Sequence, residues 1–465
     1  MSVQDRIGSS RRFLAYGIAF CLAFAIGFNS SAQGEPQASP PAAKPDVAAD
    51  PPAAPEAETP PPKPEPDWTD IDSWVGPLAE GGVKFNLRAR YSHADFAGLK
   101  RSNVGTVRTR LGYGSKPLFG LSGFVEMENI VAIDNGAYFD AIAPNTRGRS
   151  VIADVEDTEV NQAYVKFQRK DWLGLNAIVG RQRIKLDDDR WIGNVGWRQN
   201  EQTYDAGRIQ TTLGLEGLLL EYAYLDDVRR IFGDEGLPGA GTRDFESNSH
   251  LARAEFTVAS WLKVVGFTYI LDIRTAPVFS TNTFGGRITG NVPINEDWSV
   301  AYQGSYAFQT DGGTSGGTNP VNFGVHYVYG EIAPRFGPLG AIGIGYELLG
   351  SDNGTARLTT PLSTAHKFNG FADVFLNNGG VNGLQDVYAF IAPNLPWGFK
   401  GKVIFHQFYS HHRTRDLGHE VNAVVTRKIG KYITLLGKYG YFHQHRRAPG
   451  LANRVRWTAE LNFAF

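Results

Sequence analysis

The stretch RVRWTAELNFAF, residues 454–465, alternates without a break. Val455, Trp457, Ala459, Leu461, Phe463 and Phe465 fall on one face; Arg454, Arg456, Thr458, Glu460 and Asn462 fall on the other. A period of two puts successive side chains on opposite sides of an extended strand. Left at a sheet edge, such a strand invites aggregation; closing a ring, it has no edge to expose. The same texture recurs from about Gly82 onward. In GVKFNLRARY, Val83, Phe85, Leu87, Ala89 and Tyr91 oppose Lys84, Asn86, Arg88 and Arg90. In DWSVAYQGSYAFQ, Trp298, Val300, Tyr302, Gly304, Tyr306 and Phe308 oppose Ser299, Gln303, Ser305 and Gln309.

The connections choose between a soluble sandwich and a ring. Short ones fall near Lys116, Asp171, Ser260, Asn291, Pro334, Pro393 and Ile429, and long ones cover 132–157, 187–202, 227–247, 310–319 and 351–383. Short turns on one side and long loops on the other mark a transmembrane barrel. The expected fold is all-β: a transmembrane antiparallel up-and-down β-barrel of about 18 strands, with 16 as the alternative count. Short turns face the periplasm and long loops the exterior. The last strand then pairs with the first and closes the barrel. Its terminal Phe465 resembles the signal by which the barrel-assembly machinery recognises outer-membrane proteins, so that machinery is an expected partner, together with outer-membrane lipid.

Residues 1–32 read as a secretory signal peptide. Arg6, Arg11 and Arg12 precede an apolar stretch at 13–28, and Ser30-Ser31-Ala32 offers a small-residue cleavage site. Residues 33–72 read as a Pro/Ala-rich disordered periplasmic linker, densest in PPAAPEAETPPPKPEPD. Residues 73–465 form the expected barrel. Cys21 is the only cysteine, so the mature chain has no disulfide. No further apolar run reaches the ~18 residues of a membrane helix. With 46 basic and 47 acidic residues, the chain lacks the charge of a nucleic-acid binder. The expected location is the bacterial outer membrane, and the expected state a monomer.

If the apolar face of each strand meets lipid, its neighbours line the lumen. A Lys or Arg at mid-depth on the lipid face costs about 2–4 kcal/mol. The clear strands direct inward Lys84, Arg88, Arg90, Arg108, Arg110, Arg208, Arg253, Lys400, Lys402, Lys438, Arg454 and Arg456, against Glu126, Glu128, Glu221, Glu255, Glu420 and Glu460. Closure makes neighbours of Arg456, of Arg88 and Arg90, and of Arg108 and Arg110, with Glu126 and Glu128 beside them. This predicts a basic wall flanked by carboxylates, suited to anions through the guanidinium fork. The alternative is a set of Arg–Glu ladders that only neutralise the wall.

The densest polar stretch is GRQRIKLDDDRWIGNVGWRQNEQTYDAGRIQ, residues 180–210. Arg181, Arg183, Arg190 and Arg198 alternate there with Asp187, Asp188, Asp189 and Asp205, while Trp191 and Trp197 offer surfaces for sugar stacking. No regular ligand spacing follows the three aspartates, so a loop folded in to narrow the pore is preferred to a Ca²⁺ site. This stretch, with TPLSTAHKFNGFADVFLNNGGVNGLQDVYAFIAP at 360–393, resembles the alginate export family of AlgE-like outer-membrane porins. The resemblance covers roughly residues 82–465. It implies an 18-stranded barrel with an arginine-rich pore for a polyuronate or related anionic sugar. It implies that Arg181, Gln182, Arg190, Trp197, Tyr204 and Asp205 lie at the constriction or its loop. It further implies that His366, Lys367, Phe368, Gly370 and Asp373 belong to an extracellular loop over the pore. Phe371 stands where the family commonly has Trp, and the Pro-rich arm lies outside the family pattern.

No nucleophile–base–orienter set has a recognisable signature, so an enzyme is not expected. Neither is a cofactor or metal. The expected function is passive passage of anionic solutes, a polyuronate or related saccharide foremost. The alternatives are a general-diffusion or small-anion porin, for phosphate for example, and a plugged receptor or adhesin.

Overall fold

Alternation written into the strands becomes a closed wall. In the computed structural model, residues 80–133, 137–234, 236, 243–313, 319–446, 448 and 450–465 are described. The expected signal peptide, linker and residues 73–79 lie outside them. Eighteen strands form one antiparallel sheet. They are β1 (Gly82–Phe96), β2 (Ser102–Gly114), β3 (Leu121–Ala132), β4 (Asp157–Arg169), β5 (Leu175–Gln182), β6 (Thr203–Thr211), β7 (Leu218–Arg229), β8 (Asp244–Ala259) and β9 (Leu262–Leu271). The second half is β10 (Thr281–Pro293), β11 (Trp298–Asp311), β12 (Gly324–Phe336), β13 (Gly340–Leu349), β14 (Leu384–Pro393), β15 (Phe399–Tyr409), β16 (Asp416–Ile429), β17 (Ile433–Gln444) and β18 (Arg454–Ala464).

Each strand pairs with the next, and β18 pairs with β1 from Asn86↔Ala464 to Phe96↔Arg454. Phe85 and Phe465 exchange backbone hydrogen bonds of 3.1 and 3.0 Å at the seam. Phe85, Phe463 and Phe465 cluster there, with ring centroids 5.7–6.2 Å apart. No edge remains, so the expected up-and-down barrel of outer-membrane type is the observed fold. Turns after even-numbered strands are short, from 260–261 to 115–120 and 212–217, whereas 133–156, 183–202 and 350–383 follow odd-numbered ones.

The wall sorts its side chains as the period demands. On β18, Trp457 and Leu461 are exposed, while Arg456 and Thr458 are buried inside. Leu461 lies between the outward aromatics Trp457 and Phe463. We expect Leu461→Arg to lower unfolding free energy in lipid vesicles by about 2–4 kcal/mol. A urea titration with an unchanged midpoint would place this face away from hydrocarbon.

The lumen departs from a simple polar interior. Phe267, Tyr269, Tyr327, Phe408 and Phe442 point inward from the wall and are buried. They form one apolar core with Ile184, Leu186, Trp191 and Ile192 of residues 183–202, and with Leu358, Leu362 and Phe375 of residues 350–383. Both long connections therefore turn into the barrel. Water is excluded along this side of the interior, and inward apolar residues become favourable there.

Candidate functional site

The three aspartates fasten the first loop to separate parts of the interior. Asp187 pairs with Arg253 on β8 at 2.7 Å. Asp188 pairs with Arg287 on β10. Asp189 accepts from Lys367 of the second loop at 3.2 Å, and its carbonyl accepts from the Thr364 amide. Arg190 follows with Glu347 on β13 at 2.8 Å and lies over the Phe368 ring. Asp187 and Asp189 both have positive φ, 53° and 68°. Asp tolerates that region better than most residues. The run of Asp thus shapes the loop and anchors it.

The loop's other end meets the arginine wall. Arg88 donates to the carbonyls of Gly196 and Arg198 at 3.2 and 3.1 Å. Arg90 donates to the Trp197 carbonyl and to Glu460, at 2.6 and 2.7 Å, and pairs with Asp154. Arg108 reaches the Gln199 carbonyl and the Asn86 side chain. Arg110 is held by Glu128 and by Glu201. Glu201 also takes Arg183, Asn161 and Asn194, and Arg183 spans across to Glu126. Burial alone would raise the Glu201 pKa, but Arg110 and Arg183 hold it down at about 2. These wall arginines serve first as loop fasteners.

A second junction joins the two loops at β17 and β18. Asp373 accepts from His366 Nδ1 at 2.5 Å and from Arg198 at 2.9 Å, with Arg456 at 3.5 Å. The Asp373 carbonyl accepts from Arg454 at 2.8 Å. Burial opposes its charge, yet His366, Arg456 and Arg198 keep its pKa well below the usual carboxylate range. Lys438 Nζ lies 2.8 Å from His366 Nε2. That contact makes Nε2 the acceptor and leaves the ring proton on Nδ1. Burial lowers the His366 pKa in keeping with a neutral ring. Trp197 stacks on His366 at 4.4 Å, and Lys438 lies over both Trp197 and Phe371.

A cavity of about 770 Å³ opens between the wall and the loops. Arg88, Arg90, Arg110, Arg183, Lys185, Lys367, Lys402 and Lys438 line it, against Asp189, Glu201 and Glu460. Its arginines are engaged as described. Lys402 and Lys438 are different: among the described residues neither is ion-paired to a carboxylate, and each lies over an aromatic ring. Both sit opposite Val424 on the intervening β16, so they stand at one level about 10 Å apart. Among the described residues no three His, Cys, Asp or Glu side chains are grouped to hold a metal.

Several expected site residues stand elsewhere. Arg181 shares a face of β5 with Val179, which is 66% exposed, so its side chain is on the outside of the wall. Asp205, directly opposite on β6, pairs with it at 2.8 Å and removes the need for an inward position. Gln182 and Tyr204 are buried away from the cavity, bonded to the Ala206 and Gly193 carbonyls. Arg208 points inward but is tied to Glu221. Trp191 is packed in the core against Phe267 and Tyr327, and the Trp197 ring is occupied by His366 and Lys438, so neither is an open platform for sugar. Glu201 and Asp154 carry no signal in the sequence, because they are loop carboxylates outside the strand periodicity. Lys402 and Lys438 had a legible signal in their inward strand positions.

A family model described as alginate export matches residues 82–217, which bears out the resemblance over β1 to β6 and the first folded-in loop. Comparison with curated proteins finds no match. Among solved structures, Pseudomonas aeruginosa OpdL is 13% identical, with a TM-score of 0.60 over 83% of this chain and 99% of its own. Pseudomonas aeruginosa OpdK, solved with vanillate, is 13% identical, with a TM-score of 0.62 over 83% and 99%. Acinetobacter baumannii OccAB3 is 12% identical, with a TM-score of 0.62 over 83% and 100%. At these identities the likeness is one of fold.

Proposed function

We propose that this chain is an outer-membrane channel that passes anionic solutes, foremost a polyuronate or related carboxylated saccharide. One observation carries the reading: the cavity beside the folded-in loops is lined by eight basic and three acidic side chains, in a chain of nearly zero net charge. Cationic linings favour anions in pores. Lys402 and Lys438 give that lining two lysine side chains without ion-paired carboxylates among the described residues. The alginate-export match and the vanillate bound by OpdK support a carboxylated solute. The family match and the fold likeness both run to channel proteins and outer-membrane barrels, and neither runs to an enzyme.

The test is planar-bilayer conductance across a KCl gradient, with oligouronate added. The expected result is an anion-biased reversal potential and concentration-dependent block by the oligouronate. Lys402→Glu combined with Lys438→Glu should shift the reversal potential toward cations and weaken the block. A double variant with unaltered selectivity would remove the lysine pair from the mechanism. Block by phosphate but not by oligouronate would favour a small-anion porin.

A further inference from the structure

The apolar residues inside the barrel fall into groups with different surroundings. Those on β9, β12, β15 and β17 that join the large core are covered by the two folded-in loops. A separate cluster is built on Ala333, Phe390 and Ile404. Of the residues packed against it, only Phe371 comes from a loop; the others stand on β11 and β14. A polar lumen has no structural need for such a cluster, and the loops do not supply its cover.

The strand register extends this cluster into a diagonal strip. Phe390 on β14 stands directly opposite Ile404 on β15. Ile404 opposes Asn422, Val424 opposes Lys438, and Thr426 opposes Leu436. Ile404 and Val424 are therefore diagonal neighbours, as are Val424 and Leu436, each pair about 7–8 Å apart. Phe390 and Ile404 are buried, whereas Val424 and Leu436 are half-buried. Ile404, Val424 and Leu436 line the cavity of about 770 Å³.

A lysine stands on either side of the strip. Lys402 and Lys438 both oppose Val424, one from β15 and one from β17. Lys402 Nζ lies 3.9 Å over the Phe390 ring, and Lys438 Nζ lies 3.6 Å over the Phe371 ring. The arginines of the opposite wall are tied to Glu128, Glu201 and Glu460 and to loop carbonyls. The cavity thus has an apolar strip on one side, edged by two lysines without ion-paired carboxylates among the described residues. Apolar lining with a few placed polar groups is the usual make-up of a small-molecule site.

We infer that this strip, with Lys402 and Lys438, is a binding site for monocarboxylates whose charge is carried on a compact apolar body. Nζ of either lysine donates to the carboxylate, and the body lies on Val424 and Leu436. Charge complementarity identifies the first half of the occupant, because a carboxylate supplies the partner that both lysines lack. The strip identifies the second half. An inorganic anion would use the lysines and leave the strip in water, whereas an apolar body removes that surface from water. The lysines stand about 10 Å apart across Val424, which limits the body to about the size of one ring. The inference rests on the anion-channel reading and adds to it a class of solute chosen by its apolar part.

The test is block of the KCl current through the full chain in planar bilayers at neutral pH, with sodium benzoate and sodium acetate as probes. Benzoate should halve the current at a concentration about tenfold lower than acetate requires, the effect of covering about 55 Å² of apolar surface. Val424→Thr combined with Leu436→Gln should bring the two concentrations within about twofold of each other. Insertion is checked separately by heat-modifiable gel mobility, and Ile404→Thr, read in the same way, should narrow the gap if the double variant fails to insert. An anion-selective wild type on which benzoate and acetate act alike overturns the proposal and leaves the channel reading intact. An inserted variant that keeps the full preference for benzoate does the same. A wild type without anion selectivity overturns both readings together.

Discussion

Replacing Asp373 by alanine frees the second loop from the wall. This carboxylate is buried and carries contacts from His366, Arg198 and Arg456, while its own carbonyl holds Arg454. Removing it leaves two guanidinium groups and an ammonium-contacted imidazole crowded around an uncharged gap. Breaking a buried ion pair from one side costs about 3–5 kcal/mol. The strand wall does not depend on this contact, so the loss should fall on the loop. Hydrogen exchange over residues 360–375 should accelerate by at least about a hundredfold, as about 3 kcal/mol of local protection disappears. Single-channel conductance should rise as the loop leaves the interior. Asp373→Asn, which retains an acceptor for His366, should fall between the two. Wild-type exchange and wild-type conductance in the alanine variant would show that the junction does not hold the loop.

Acid should act on the same contacts from the solvent side. The His366 pKa is lowered by burial, so its stabilising contribution is present above the unfolded histidine value of about 6.5 and declines as pH falls. The Glu201 and Asp373 pKa values are also lowered, so their contributions are complete above the unfolded carboxylate range and are lost below it. For Glu201, held at about 2 against an ordinary 4.5, the stabilisation at neutral pH is about 3 kcal/mol. All three terms have one sign. Conductance measured from neutral pH toward about pH 2 should show the loops loosening in two stages, the first with His366 below about pH 6.5 and the second with the carboxylates below about pH 4. Glu201→Gln should lose the Glu201 part of the acid stage, because nothing remains at that position to titrate. A conductance that is flat across this range in the wild type would refute the assignment of these groups as loop fasteners.

Much of the wall is legible in the sequence. Alternation at 82–91, 298–309 and 454–465 gave both the strands and the face each turns to lipid, because lipid and lumen demand opposite chemistry of adjacent residues. The same rule placed Arg88, Arg90, Arg108 and Arg110 inside. It also places Arg181 outside, through the exposed Val179 two positions away, against the inward position that the family resemblance implies. What alternation cannot reach is the pairing of loop residues. Glu201 finds Arg110 on β2, and Asp188 finds Arg287 on β10, because of where the loop 183–202 folds and not because of spacing. For the same reason the inward aromatics Phe267 and Tyr327 fit no polar-lumen rule: the loops that cover them come from 183–202 and 350–383.

The aspartate run bears on mechanics as well as charge. Residues 183–202 leave the ring between β5 and β6, take hold of β8, β10 and β13 through Asp187, Asp188 and Arg190, and take hold of β1 and β2 through the carbonyls of Gly196 and Gln199. A barrel held only by its own ladder resists stretching around its circumference but yields to flattening. Internal ties between separated arcs oppose flattening directly, as struts do in a thin-walled tube. The width of the opening is thereby set in part from within, and a substitution that cuts one tie alters the bore even where it leaves the charge of the lining unchanged.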